Sequence, residues 1–122
     1  KDFGRALELD NTFAPAYCER SFSYLSKKNY EYATMDNAMA LKLSPKSPEA
    51  HFYKGLIDTA KGNNEKAIQS FTKAVKYKSD YGECYYNRGL AYLRLENRAL
   101  ARDDFEKAEL YGYRVEEDLW KK

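Results

Sequence analysis

His51 is the one histidine in 122 residues, and Cys18 and Cys84 are the two cysteines. An imidazole can carry protons near neutral pH or bind a metal, and a thiolate can attack or coordinate, but each chemistry needs partners at fixed spacing. None is in place here. There is no CxxC pair, no HExxH, no GxSxG, no phosphate-binding glycine loop, and no base placed to activate either thiol. The spacing of the cysteines predicts two free thiols too far apart for a disulfide. His51 shares a column with Tyr17 and Tyr85, which predicts a packing role. The acidic groups Asp103-Asp104 and Glu116-Glu117-Asp118 sit among Arg102, Lys107 and Lys121, so they read as a solvated face with helix-end charge. Lys73, Lys76 and Lys78 read the same way. We expect no catalytic residue, no metal and no cofactor.

What positions these residues is a repeat of 34. Ala6, Ala40, Ala74 and Ala108 share one register, Ala33, Ala67 and Ala101 another, and Asn29, Asn63 and Asn97 a third. Further columns hold small residues (Ser21, Gly55, Gly89), rings (Tyr17, His51, Tyr85) and mostly bulky side chains (Phe3, Asn37, Phe71, Phe105). Within a unit, Tyr85, Gly89 and Tyr92 recur at helical spacing, as do Ala101, Phe105 and Ala108, so each unit predicts two amphipathic helices. The Asn column falls between them, where its side chain caps the second helix. Pro45 and Pro48 mark the break to the next unit. The predicted helices run over 14–27, 30–43, 48–61, 64–77, 82–95 and 98–110.

A helix pair this short cannot bury both apolar faces alone, so neighbouring units must stack to close a core. Composition agrees with a folded, soluble chain: 43% hydrophobic and 33% charged residues, six Gly and three Pro, with a mean hydropathy of −0.84. The formal net charge of +2 makes no single-sign field of the kind that gathers nucleic acid. No apolar run approaches the roughly 20 residues of a membrane helix. A cytoplasmic setting is preferred, with the compartment itself open. The aromatic share of 16%, twelve of those residues being Tyr, exceeds what a core of Ala and Gly columns needs.

This 34-residue helix–turn–helix resembles the tetratricopeptide repeat, whose pattern runs aromatic, Leu-Gly, Tyr, Ala, Phe, Ala and Pro. The third unit matches at Tyr85, Gly89, Tyr92, Ala101, Phe105 and Ala108, with Arg88 for the Leu and Tyr113 for the Pro. The second matches at Gly55, Ala67, Phe71 and Ala74, with His51 for the aromatic residue and Asp58 for the Tyr. The first matches at Tyr17, Tyr24, Ala33, Ala40 and Pro45, with Ser21 for Gly and Asn37 for Phe. The resemblance implies an all-α fold, a right-handed superhelical array of antiparallel helix pairs. Residues 14–47, 48–81 and 82–113 would form three repeats. Residues 1–13 read as the second helix of an upstream repeat whose first helix is missing, and 114–122 as the start of a capping helix in which Leu119 and Trp120 cover the last apolar face.

The resemblance further implies a concave groove, lined by first helices, that binds a peptide segment of a partner protein. Carried over by column, its residues are Cys18, Glu19, Phe22 and Leu25 on the first unit. On the second they are Glu49, Phe52, Tyr53, Leu56 and Thr59, and on the third Glu83, Tyr86, Asn87, Leu90 and Arg94. The rings would anchor a partner at low entropy cost, and Glu19, Glu49 and Glu83 would meet Lys or Arg. One branch of the family clamps the C-terminal carboxylate of chaperone tails with Lys, Asn and Arg. Those positions hold Cys18, Phe22, Tyr53, Glu83 and Asn87 here, so a chaperone tail is disfavoured. The reading is a non-catalytic interaction scaffold. Its alternatives are self-association through exposed repeat ends around Phe3, Leu7, Leu9 and Phe13, and a regulatory or substrate-presenting part of a larger enzyme.

Overall fold

A computed structural model describes residues 13–120. The expected helix over 2–10, and with it the exposed edge at Phe3, Leu7 and Leu9, lies outside the described residues. Seven helices follow in order: α1 (Ala14–Ser26), α2 (Tyr30–Leu43), α3 (Pro48–Ala60), α4 (Asn64–Tyr77), α5 (Gly82–Arg94), α6 (Arg98–Leu110) and the short α7 (Glu117–Trp120). The first helix of each pair ends one residue earlier than its pattern predicts. The chain there turns through Lys28, Gly62 and Glu96, all with positive φ, at 62°, 79° and 63°. In each turn the following Asn N–H donates back to a carbonyl of the last helical turn: Asn29 to Tyr24, Asn63 to Asp58 and Asn97 to Tyr92. This is the left-handed stop that satisfies otherwise orphaned helix carbonyls. The Asn side chains then cap the second helices, accepting from the N–H of Tyr32, Lys66 and Leu100.

Small columns face large ones because the pairs must close tightly. Gly55 lies under the ring of Phe71, and Gly89 under that of Phe105; a Cβ on either glycine would overlap the ring edge. Both rings are fully buried, each worth about 1.5–3 kcal/mol in removal from water. Where Ser21 replaces Gly, its hydroxyl donates to the carbonyl of Ala33 at 2.8 Å. Asn37, in place of Phe, donates to the carbonyl of Ala50 at 2.9 Å. The first pair therefore satisfies with hydrogen bonds what the other two fill with a ring.

Pairs α1/α2, α3/α4 and α5/α6 are joined in sequence by α2 on α3 and α4 on α5, giving the stacked right-handed array. First helices also touch one another, α1 with α3 and α3 with α5, whereas second helices do not touch among the described residues. That asymmetry curves the array, with first helices on its inner face. Rings of the His51 column hold the turns between pairs: His51 Nε2 donates to the carbonyl of Pro45 at 2.8 Å, and the Tyr85 hydroxyl to that of Ser79 at 2.9 Å. At the far end Val115 and Trp120 are buried against α6, with the Trp120 ring edge-on to Phe105 at 6.2 Å.

One expectation from charge needs correction. Asp104 is not on a solvated face: it is buried and accepts a bidentate pair of hydrogen bonds from Arg88 at 2.8 Å each. Arg20 grips Asp36 in the same way in the first pair, at 2.6 and 2.8 Å.

Candidate functional site

The inner face of α1, α3 and α5 collects the expected groove residues, but not all in the expected role. The column of Cys18, Phe52 and Tyr86 turns toward the second helix of its own pair and the chain that follows it. Phe52 is only 3% exposed, with its ring 5.8 Å from Phe71 and 5.1 Å from Tyr81, so it serves the core and offers no face to a ligand. Cys18 is buried too. Tyr86 is half-buried between Phe105 and Tyr113. The physical reason is the seam: each second helix and the chain after it close over this column, and the next columns on the first helices stay open.

Those open columns form the groove surface. Phe22 is 45% exposed, and its ring meets that of Tyr53 at 5.3 Å, bridging α1 and α3. Leu25, Leu56, Thr59, Asn87 and Leu90 are half-buried, while Glu19, Glu49, Glu83 and Arg94 are exposed. Two of the polar groups are used locally. Asn87 donates to the carbonyl of Glu83, and the Thr59 hydroxyl to that of Gly55.

At the α1/α3 end the groove deepens into a cavity of ≈ 560 Å³, walled by Pro15, Cys18, Glu19, Glu49 and Tyr53 and by the turn residues Lys46 and Ser47. The turn residues and Tyr81 were not in the sequence-derived set. Their signal was the position preceding each first helix, where Ser47 and Tyr81 fall 34 apart.

Electrostatics knit these groups together. Burial, reinforced by Glu49 and Glu19 and opposed by a hydrogen bond with Ser47, pushes the Cys18 thiol up to about 11. Burial first, then Cys18 and the carboxylates of Glu83, Glu49 and Glu19, raises Tyr53. Tyr81 is raised by burial and then by Glu49, with Glu83 adding to it. All three glutamates therefore act on one patch of ring hydroxyls. Those hydroxyls and the thiol are neutral at physiological pH, so no nucleophile is activated here. Cys84, held by burial and donating to the carbonyl of Phe71 at 3.4 Å, is also raised. Among the described residues no three His, Cys, Asp or Glu side chains are grouped to hold a metal ion, and no helix is long and apolar enough to cross a membrane.

Stacked helix pairs, a closed Ala/Gly/Phe core and a curved inner face define an α-solenoid repeat protein. Residues 55–96 match the family model for the TPR repeat. Tetratricopeptide repeat protein 13 of Homo sapiens is 35% identical over 91 residues, covering 75% of this chain and 10% of that protein. The chain thus spans about a tenth of that relative's length. Among solved structures, YrrB, described as a TPR protein with an unusual peptide-binding site, superposes with a TM-score of 0.84 at 23% identity, over 92% of this chain and 58% of that one. The first TPR of Spaghetti (RPAP3), bound to an HSP90 peptide, gives 0.78 at 19% identity over 81% of this chain and 79% of that one. Residues 55–96 thus carry the tetratricopeptide repeat pattern, and the chain is similar to tetratricopeptide repeat proteins in sequence and in fold.

Proposed function

We propose that this chain is a non-catalytic scaffold that receives a segment of a partner protein along the inner face of α1, α3 and α5. The observation that carries this reading is the exposed Phe22 ring, paired with Tyr53, which also walls the ≈ 560 Å³ cavity on the face of the first helices. A large ring held by a neighbour loses little entropy on binding and contributes most when a partner covers it. Two structural neighbours, one named for its peptide-binding site and one holding a peptide, are consistent with that use of the fold.

The test is a photo-crosslinking residue placed at Phe22 on the inner face or at Met35 on an exposed part of α2, each in lysate of the source cells. A partner crosslinked from position 22 and not from 35, whose capture falls more than about tenfold when Phe22→Ala is combined with Tyr53→Ala, supports the groove. Crosslinking from position 35 alone, or capture indifferent to the ring substitutions, overturns it.

A further inference from the structure

We infer that the segment received by this groove is basic, and that a lysine or arginine side chain of it enters the cavity between Glu19, Glu49 and Tyr53. The inference rests on the groove reading and adds the chemistry of the occupant. Its first support is the cavity itself, which joins two carboxylates and a ring to the apolar flanks of Pro15 and Pro48. An alkyl stem would lie on those flanks while its charged head reached the carboxylates.

Charge balance is the second support. The ion pairs formed among the described residues are Arg20 with Asp36, Lys54 with Asp58 and Arg88 with Asp104. Glu19, Glu49 and Glu83 take part in none of them. Lys46, exposed in the turn, is the single cation in the cavity wall.

The third support is an internal precedent. Lys78 already places its ammonium 4.7 Å from the centroid of the Tyr81 ring, whose other neighbour is Phe52. A ring at the next junction, 34 residues beyond Ser47 of the cavity wall, therefore already accepts a cation. An acidic segment would set its carboxylates against Glu49 and Glu83, an arrangement that like-charge repulsion disfavours.

The test uses three pools of labelled twelve-residue peptides, randomised at apolar positions and alike except at four sites that are all Lys/Arg, all Gln or all Glu. Binding is read by anisotropy against the parent chain, Glu19→Gln/Glu49→Gln, and Phe22→Ala/Tyr53→Ala, at about 50 and about 300 mM salt. We expect the basic pool to bind at least about tenfold more tightly than the neutral one, to lose that margin in the glutamine variant, and to weaken with salt. We also expect the basic pool to slow alkylation of Cys18, which lines the cavity, but not of Cys84. Equal binding of all three pools, unchanged by the glutamines but weakened by the ring substitutions, overturns the basic occupant and leaves the groove standing. Binding by no pool, or binding indifferent to the ring substitutions, overturns both. The glutamine changes are at exposed positions and preserve volume, so circular dichroism should show the fold intact.

Discussion

Arg88 and Asp104 are 13% and 3% exposed at their side chains, and the bidentate pair they form lies between α5 and α6. The sequence shows Arg88 only as a departure where the repeat pattern has Leu, and Asp104 only as one acid beside another. A buried charge is spelled like an exposed one. Its signature is the shared separation: Arg20 to Asp36 and Arg88 to Asp104 are both 16 apart, while the middle repeat interrupts the series with Lys54 and Ser70. The same limit explains Phe52, because helical periodicity places a side chain on a face without saying whether a neighbouring helix covers that face. Removing one partner of a buried pair strands the other, so Asp104→Ala should cost about 3–5 kcal/mol in urea unfolding. Arg88→Leu together with Asp104→Leu should recover most of that loss. If the double variant is as unstable as the single one, packing rather than charge pairing is the role of these side chains.

At the scale of elements the sequence was far more legible. Period 34 located six helices to within a residue at each end, because the Asn caps and the Ala columns act locally and repeat three times, and Pro48 marks the start of α3. What escaped was the backbone of the turns. Asn29, Asn63 and Asn97 announce a cap, but the residue before each one carries the left-handed conformation, and only Gly62 among them is glycine. Lys28 and Glu96 hold φ of 62° and 63°, a region costing a residue with a Cβ about 1–2 kcal/mol. Glycine there relieves that strain and gives back part of the gain through the freer unfolded chain. Lys28→Gly and Glu96→Gly should therefore each stabilise by about 0.5–1 kcal/mol, and Gly62→Ala should destabilise by about 1 kcal/mol. Thermal midpoints of the three variants decide it; a loss of stability on placing glycine at 28 or 96 would show that their side chains contribute more than the strain takes away.

The array as a whole is a chain of nearest-neighbour contacts, so its stability is close to a sum over pairs and their junctions. Groups that resist ionisation are spread along its whole length: Cys18 and Tyr53 at the first junction, Tyr81 and Cys84 at the second, Tyr85 and Tyr113 in the last pair. Each is raised chiefly by burial, meaning the folded chain holds those protons more tightly than the unfolded one. A raised value contributes stability that is fully present below the unfolded value and is lost as pH climbs through the folded one. For Cys18 that window runs from about 9 to about 11, and the other thiol and the tyrosines extend it upward. Helicity and thermal midpoint should accordingly hold steady from pH 7 to about 8.5 and fall between about 9 and 11. Because junctions are involved, the loss should begin there: amides of α1 and α3 should exchange earlier at high pH than those at the centre of α4. Cys18→Ser, which removes the thiol but keeps a small polar group beside Ser47, should make the first junction less sensitive to alkali. A midpoint flat to pH 11, or a fall unchanged in Cys18→Ser, would mean that burial of these groups is not what couples the array to pH.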